Sequence, residues 1–314
     1  MRKASSAALH QIVFALGWLR DLLLRQKWFN SRVMPAIPRQ LRWTLRRLYF
    51  IPFDLVESAL GQSEEMIPPK SKVFVGTVDF KEGAEDGVNR LHRFGVLTPE
   101  SHVLDIGCGI GRLAVPMTRY LRGGSYHGLD VVPSGIEWCN QHIASRHPNF
   151  HFTLADVFNG EYNPKGRTAA SEYTFPYPDD QFDLVILASV FTHMQPEDTE
   201  QYVREIARVL RKGGHCWASC YLLNPDSVRM METREGSLCF RHNHGTYWTV
   251  NPKCPELSIG YDEHYILDLF DRNGLSLADG VYYGRWCGRP LVSANSPGPD
   301  EGADDQDLLL ATKT

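Results

Sequence analysis

The chain has 314 residues, 43% of them hydrophobic, which accommodates one large domain with an appendage or two small domains. Its seven cysteines form no CxxC pair and their total is odd, which argues against a disulfide framework or a zinc site and favours a reducing, cytoplasmic compartment. The net charge is only −4, but the first fifty residues carry ten Lys or Arg against the single acid Asp21, so positive charge is concentrated at the N-terminus.

The N-terminal arm, residues 1–70, is predicted to be basic and partly helical. Its apolar run Ile12–Leu19 is far shorter than the roughly 20 residues of a membrane span. Six apolar residues of the arm nevertheless recur at helical spacing, namely Leu9, Ile12, Val13, Leu16, Leu19 and Leu23. With the arginines that follow, this pattern indicates an interfacial helix and peripheral contact with the inner membrane surface. Two alternatives stay open, a helix packed on the domain or on a second subunit of a homo-oligomer, and a presequence.

From Ala84 onward, apolar runs alternate with helical patterns, which is typical of a parallel α/β sheet. The clearest helix is Pro196–Gly214, with acids at its start and an expected end at Arg211, Lys212 and Gly213. Five candidate strands flank the helices: His102–Ile106, Tyr126–Asp130, Phe150–Leu154, Phe182–Leu187 and His215–Leu222.

The alternation stops after Leu223 for about forty residues, and we interpret 224–261 as an insertion that roofs the sheet within a domain spanning 71–314. A helix is predicted at Asp262–Arg272, with Asp262 and Glu263 serving its N-terminus, followed by a strand-like segment at 275–284. Residues 294–307 are predicted to be a polar, flexible connection before the last apolar run, Leu308–Ala311.

A glycine-rich turn follows the first candidate strand. Gly107, Gly109 and Gly111 alternate, Asp105 stands two residues before them, and Arg112 occupies the place of the third glycine of a dinucleotide-binding GxGxxG fingerprint. Because no GK[ST] follows the turn, a P-loop is excluded. The turn therefore points away from a pyrophosphate ligand.

The string Val103–Gly111, "VLDIGCGIG", resembles motif I of the class I S-adenosylmethionine-dependent methyltransferases, and the resemblance extends from about Lys72 to the C-terminus. It implies a Rossmann-like, doubly wound seven-stranded sheet with an N-terminal helical arm and an insertion after strand five. S-adenosyl-L-methionine is the implied cofactor, with the glycine turn approaching its methionine end and Asp105 suiting its cationic amino group.

Three further segments match the family in order. The resemblance implies that Asp130, beside Val131, bonds the ribose hydroxyls, and that Asp156 and Val157 face the adenine. Ala188 and Ser189, after the fourth strand, are implied to line the cofactor pocket. In the segment before the glycine turn, Phe74, Gly76 and Phe80 either cover the cofactor or pack against the sheet.

Methyl transfer to a poorly acidic hydroxyl needs a base, and two histidines are candidates. His193 follows the fourth strand at the edge where open α/β sheets bind ligands, although a cofactor-shell or structural role is an alternative. His244 lies with His242, Tyr247 and Trp248 in the insertion, where a substrate-facing lid is favoured over a metal site, so no metal is predicted.

The sequence thus predicts a methyltransferase acting on a small-molecule, glycan or lipid-linked acceptor, with oxygen as the favoured methylated atom. An N-methyltransferase or nucleic-acid methyltransferase on the same fold stays open, but an acidic body without an NPPY or DPPY string disfavours nucleic acid as a partner. A non-catalytic binding protein and a nicotinamide oxidoreductase are the rivals from other classes.

Overall fold

A computed structural model of the protein describes residues 39–74, 80–160, 162–233, 238–277, 281–289 and 306–314. The chain divides into two compact units, Met1–Phe80 and Lys81–Thr314, and the predicted domain boundary at residue 70 precedes this division. The apolar run Ile12–Leu19 and Gly76 lie outside the described residues.

The first unit is built on the helix α1 (Arg39–Ala59). Tyr49, Phe50 and Phe53 cluster on one side of it, with ring centroids 5.0 to 5.8 Å apart. The carboxylate of Asp54 accepts the backbone N–H groups of Lys70 and Ser71 at 2.8 and 3.0 Å. The helix is thereby tied to the segment that follows it.

The second unit contains a large sheet whose strands run in the order β10-β12-β5-β4-β1-β2-β3, with β11 also paired to β12. Strands β1 to β5 are parallel, and β12 is antiparallel to β5. This seven-strand path confirms the predicted Rossmann-like fold. The strands are β1 (His102–Ile106), β2 (Ser125–Asp130), β3 (Phe150–Leu154), β4 (Phe182–Leu187), β5 (Leu210–Cys220), β10 (Leu275–Ser276), β11 (Val281–Tyr282) and β12 (Asp307–Lys313).

Helices cover the sheet and pack on it through their apolar faces. Val203, Ile206 and Val209 of α5 are fully buried, and the side chain of Asp262 caps α7 by accepting the N–H of Tyr265 at 3.1 Å. After α1 the helices are α2 (Phe80–Arg93), α3 (Ala114–Tyr120), α4 (Pro133–Cys139), α5 (Pro196–Val209), α6 (Pro225–Thr233) and α7 (Glu263–Arg272).

The insertion builds a second, four-stranded sheet in the order β6-β9-β8-β7. Its strands are β6 (Leu222–Leu223), β7 (His242–Asn243), β8 (Tyr247–Thr249) and β9 (Ile259–Asp262). β6 pairs with β9 directly after β5 ends, so the small sheet begins at the carboxyl end of β5.

Three predicted boundaries are wrong. The helix starting at Pro196 ends at Val209 rather than at 211–213, because Leu210 already pairs with Phe182 in the sheet. A bulge follows, and regular pairing resumes where His215 pairs with Leu184. Residues 306 and 307 are not part of a flexible connection, since Asp307 is fully buried at the start of β12. The fifth strand runs from Leu210 to Cys220 rather than from His215 to Leu222. The predicted strand-like segment 275–284 contains β10 and β11.

No helix in the parts of the chain that the structure describes is long and apolar enough to cross a membrane.

Candidate functional site

The glycine turn leaves β1 with a backbone that only glycine adopts easily. Gly107, Gly109 and Gly111 have φ angles of +78°, +59° and +82°. A Cβ on Gly107 would lie 2.6 Å from Cγ2 of Val190, and one on Gly111 would lie 2.7 Å from Cδ1 of Ile143. The turn therefore packs closely on Val190 of the loop after β4 and on Ile143, where a side chain at Gly107 or Gly111 would not fit.

Asp130, at the end of β2, is tied to this turn. Its carboxylate oxygens accept the N–H of Gly109 and the N–H of Val132, each at 2.7 Å. Burial raises the pKa of Asp130, and the backbone hydrogen bonds oppose that rise. The ribose contact of Asp130 stays a prediction, for which the carboxylate has lone pairs beyond these two bonds. The half-buried Val131 packs on the core beside Asp130.

Asp105 lies inside the sheet, where only 2% of it is exposed, and it accepts a hydrogen bond from the Tyr126 hydroxyl. Burial raises its pKa to about 7, the Tyr126 bond opposes the rise, and the charge of Asp130 adds to it. At neutral pH this carboxyl is thus only partly charged, so it favours a cationic ligand group less strongly than the sequence suggested.

Asp156, predicted to face the adenine, is held by Arg167. The Arg167 Nε lies 2.5 Å from Oδ2, and the Arg167 backbone N–H donates to Oδ1 at 3.2 Å. This arginine lowers the pKa of Asp156. Val157 is buried and forms a β-bridge with Thr168. The roles of both residues toward a cofactor stay predictions.

The end of β4 is open to solvent at Ala188 and Ser189. Ser189 has a φ of 61°, unusual for a residue with a side chain, and its N–H donates to the Ser219 hydroxyl at 2.9 Å. The hydroxyls of Ser189 and Ser219 both donate to Oε1 of Gln306, at 3.1 and 2.7 Å. These polar groups come from β4, β5 and β12 and meet at one edge of the sheet.

Ser219 and Gln306 were missed by sequence reasoning. Ser219 lies near the carboxyl end of the fifth strand. Because ligands of open α/β sheets bind at that edge, its position could have marked it as a site residue. Gln306 belongs to a polar stretch with the composition of a linker, and only the pairing of β12 with β5 brings it to the site.

His193 is fixed by the insertion. Its Nδ1 lies 2.8 Å from the carbonyl oxygen of Glu256. Because a carbonyl only accepts, Nδ1 carries the proton, and Nε2 is the basic nitrogen of the neutral ring. The Glu256 carboxylate also accepts the N–H of Gly160 at 3.2 Å, so the helical turn Pro255–Leu257 of the insertion contacts the loops after both β3 and β4.

His244 occupies a different place, the exposed turn of the β7–β8 hairpin. Its ring stacks on Tyr247 with centroids 4.7 Å apart, and its Nε2 lies 3.4 Å from the Thr249 hydroxyl. Within the described residues, no group of three or more His, Cys, Asp or Glu is arranged to hold a metal ion.

A buried polar cluster that the sequence did not indicate centres on Asp307. Its oxygens accept the N–H of Leu222, the N–H of Gly284 and the indole of Trp286, each at 2.8 Å, and Arg289 lies 3.3 Å away. Burial raises the pKa of Asp307 to about 6, against the effect of these donors.

Asp262 and Glu263 both lie at the N-terminus of α7, as predicted, Asp262 as the cap and Glu263 in the first turn. The Glu263 carboxylate also accepts the amide of Asn224 at 2.6 Å and the hydroxyl of Tyr283 at 2.7 Å. Phe74, a possible cofactor cover, has its ring 6.1 Å from Trp43 within the first unit.

The residues present fit a cofactor with a cationic, amino-acid-bearing end. The bare backbone of the glycine turn, Asp130 and the open end of β4 share the carboxyl edge of three adjacent parallel strands, where ligands of open α/β sheets bind.

The family model described as a methyltransferase domain matches residues 103–214. Among curated proteins, the phthiotriol/phenolphthiotriol dimycocerosates methyltransferase of Mycobacterium leprae is 32% identical over 41% of this chain and 41% of its own length. Methyltransferase GfsG of Streptomyces halstedii is 32% identical over 36% of this chain and 34% of its own length. The matched region is thus less than half the length of either relative.

A solved structure of S-adenosylmethionine-dependent methyltransferase type, from Methanosarcina mazei, aligns with a TM-score of 0.41 and 18% identity. The alignment covers 70% of this chain and 95% of that one.

Proposed function

We propose that the chain transfers a methyl group to a hydroxyl oxygen of a small-molecule or lipid-linked acceptor. The premise is that residues 103–214 belong to the class I methyltransferases, which use S-adenosyl-L-methionine. The observation that carries the proposal is His193, a histidine with an assigned basic nitrogen at the same sheet edge as the glycine turn.

The bound cofactor supplies an electrophilic methyl group on a positively charged sulfur. The chain's own residues position the reactants. The glycine turn and Asp130 form the cofactor side of the site, and the open Ala188–Ser189 segment lies beside it. The turn Pro255–Leu257 contacts the loops after β3 and β4 and so borders this edge.

In this proposal His193 acts as the general base. The Glu256 carbonyl accepts the Nδ1–H at 2.8 Å, so Nε2 is the nitrogen of the neutral ring that takes the proton of an acceptor hydroxyl. A base within hydrogen-bond reach contributes about 10²- to 10⁴-fold in rate.

Support for an alcohol acceptor comes from two sources. The polar groups at the edge, Ser189, Ser219 and Gln306, are neutral donors and acceptors suited to hydroxyl groups rather than to a charged acceptor. The M. leprae relative is named for phthiotriol, a triol. We extend that substrate class, an alcohol carried by a large apolar molecule, to this chain.

The test is transfer of radiolabelled methyl from S-adenosylmethionine into fractionated lipid and small-molecule extracts, comparing wild type with His193→Gln and His244→Gln. We expect His193→Gln to lower kcat about 10²-fold or more with unchanged cofactor affinity, and His244→Gln to retain most activity. Full activity of His193→Gln would exclude it as the base, and label found only on nitrogen would exclude oxygen as the acceptor.

A further inference from the structure

Ser189 has a backbone conformation that serine seldom adopts. Its φ of 61° lies in the left-handed region, and among the residues that the structure describes Asp180 is the only other non-glycine residue with a positive φ. This region brings Cβ close to the following carbonyl oxygen, which aspartate tolerates better because its side chain forms local hydrogen bonds. The conformation of Ser189 therefore depends on the contacts around it.

All three polar groups of Ser189 are engaged. Its backbone N–H donates to the Ser219 hydroxyl at 2.9 Å, and its carbonyl oxygen accepts the Thr192 hydroxyl at 2.9 Å. Its own hydroxyl donates to Oε1 of Gln306 at 3.1 Å, and the Ser219 hydroxyl donates to the same oxygen at 2.7 Å. Gln306 thus closes a ring of hydrogen bonds that begins and ends at Ser189.

Gln306 is held in place by the strand that follows it. Its neighbour Asp307 is fully buried and accepts four donors, and Leu308 pairs with Ser219 across β12 and β5. The amide oxygen of Gln306 has two lone pairs, and the two serine hydroxyls use both. This oxygen therefore holds the protein's own hydroxyls and is not available to a ligand.

The conformation of Ser189 determines where the next residues lie. Val190 packs on the glycine turn, since its Cγ2 would lie 2.6 Å from a Cβ on Gly107. The backbone N–H of His193 donates to the Val190 carbonyl oxygen at 3.0 Å. A change of φ at Ser189 would therefore redirect the chain that makes both contacts.

We propose that Gln306 is a positioning residue, which holds Ser189 in its left-handed conformation and so keeps the loop after β4 in the shape that S-adenosylmethionine binding needs. The proposal rests on the proposed function for its cofactor alone, not for its acceptor or its base. It requires no contact between Gln306 and the ligand.

The test measures the Kd of S-adenosylhomocysteine by calorimetry on the full-length chain. Gln306→Leu has a similar volume but accepts no hydrogen bond, so it should weaken binding about tenfold. Thr312→Val is the matched control, because Thr312 makes another side-chain hydrogen bond between β12 and β5, to His215 at 3.1 Å, at the opposite end of the strands. It should change Kd by less than about twofold.

Urea unfolding of both variants establishes that they fold and compares their stability. Equal weakening of binding by Gln306→Leu and Thr312→Val would indicate a general effect of β12 and overturn the proposal. So would an unchanged Kd in Gln306→Leu.

A Ser189→Gly background separates positioning from ligand contact. Glycine adopts a φ near 61° without the ring, so in this background Gln306→Leu should weaken binding by less than about twofold. A loss that stays tenfold there would show that Gln306 does not act through Ser189 and would overturn the proposal.

Ser189→Ala and Ser189→Gly both remove the hydroxyl, but only glycine relieves the strain. The alanine variant should therefore bind about fivefold more weakly than the glycine variant. An equal Kd for the two would overturn the proposal. No measurement here requires methyl transfer, so its failure is distinguishable from failure of the proposed base or acceptor.

Discussion

Asp130 connects the ends of two strands through one carboxylate, so its loss should disturb both of them. Asp130→Ala leaves the buried N–H groups of Gly109 and Val132 without their acceptor. We expect a loss of about 2–4 kcal/mol in unfolding free energy and a large loss of S-adenosylmethionine affinity, measured by denaturant titration and calorimetry.

Asp156→Ala is the control for the stability measurement alone, because its carboxylate lies at the surface with Arg167 and should matter little to stability. Cofactor affinity unchanged in Asp130→Ala would contradict the assignment of Asp130.

The buried carboxyl of Asp105 predicts a pH dependence of stability. Its pKa is raised from 3.8 to about 7, so between these values the folded state binds the proton and the unfolded state does not. Stability contributed by the protonated form is therefore lost as pH rises, by up to about 1.4 kcal/mol per pH unit. Asp105→Asn resembles the protonated acid and should remove this dependence.

The measurement is urea unfolding of wild type and Asp105→Asn between pH 4 and 7. We expect the variant to gain stability relative to wild type as pH rises across this range. A constant difference across it would show that Asp105 does not titrate there in the folded protein.

Strand β12 depends on Asp307 for its attachment at the site edge. Four donors converge on this carboxylate, from Leu222, Gly284, Trp286 and Arg289. Asp307→Ala should cost about 3–5 kcal/mol of unfolding free energy, because the largely buried Arg289 loses its carboxylate partner and three buried N–H donors lose their acceptor. Asp226→Ala, which breaks an exposed pair with Arg229, should cost under about 1 kcal/mol. Similar costs for the two variants in chemical denaturation would refute this role.

The sequence predicted three of the five parallel strands well because each is a short, mostly apolar run between clear turn signals. β1, β3 and β4 have the predicted bounds, and β4 is buried along its whole length. The glycine turn was equally readable, since its positive φ angles leave glycine as the suitable residue.

What the sequence did not predict depends on contacts distant along the chain. Asp307 looks like part of an acidic linker, and only the antiparallel pairing of β12 with β5 buries it. The hydrogen bond of His193 to Glu256 joins residues 63 positions apart. Local sequence patterns indicate the type of each element and where a strand ends. The hydrogen-bond partners that an insertion provides to distant residues depend on tertiary packing.

At the scale of the whole molecule, the candidate cofactor residues of the glycine turn and of the strand ends lie in the unit Lys81–Thr314. A ligand that binds only the folded state stabilises it by about 2.7 kcal/mol at a hundredfold excess over Kd. S-adenosylhomocysteine should therefore slow amide hydrogen exchange at residues 105–112, 128–132 and 187–190. The same ligand should leave exchange in α1 unchanged.

Asp130→Ala serves as the control in the same exchange experiment, because it should lose the protection at all three segments while α1 again shows no change. Protection confined to the insertion, residues 238–261, would place the ligand away from the glycine turn and contradict the assignment. Protection at the three strand ends together shows that β1, β2 and β4 form one binding edge, which is what their adjacency in the sheet requires.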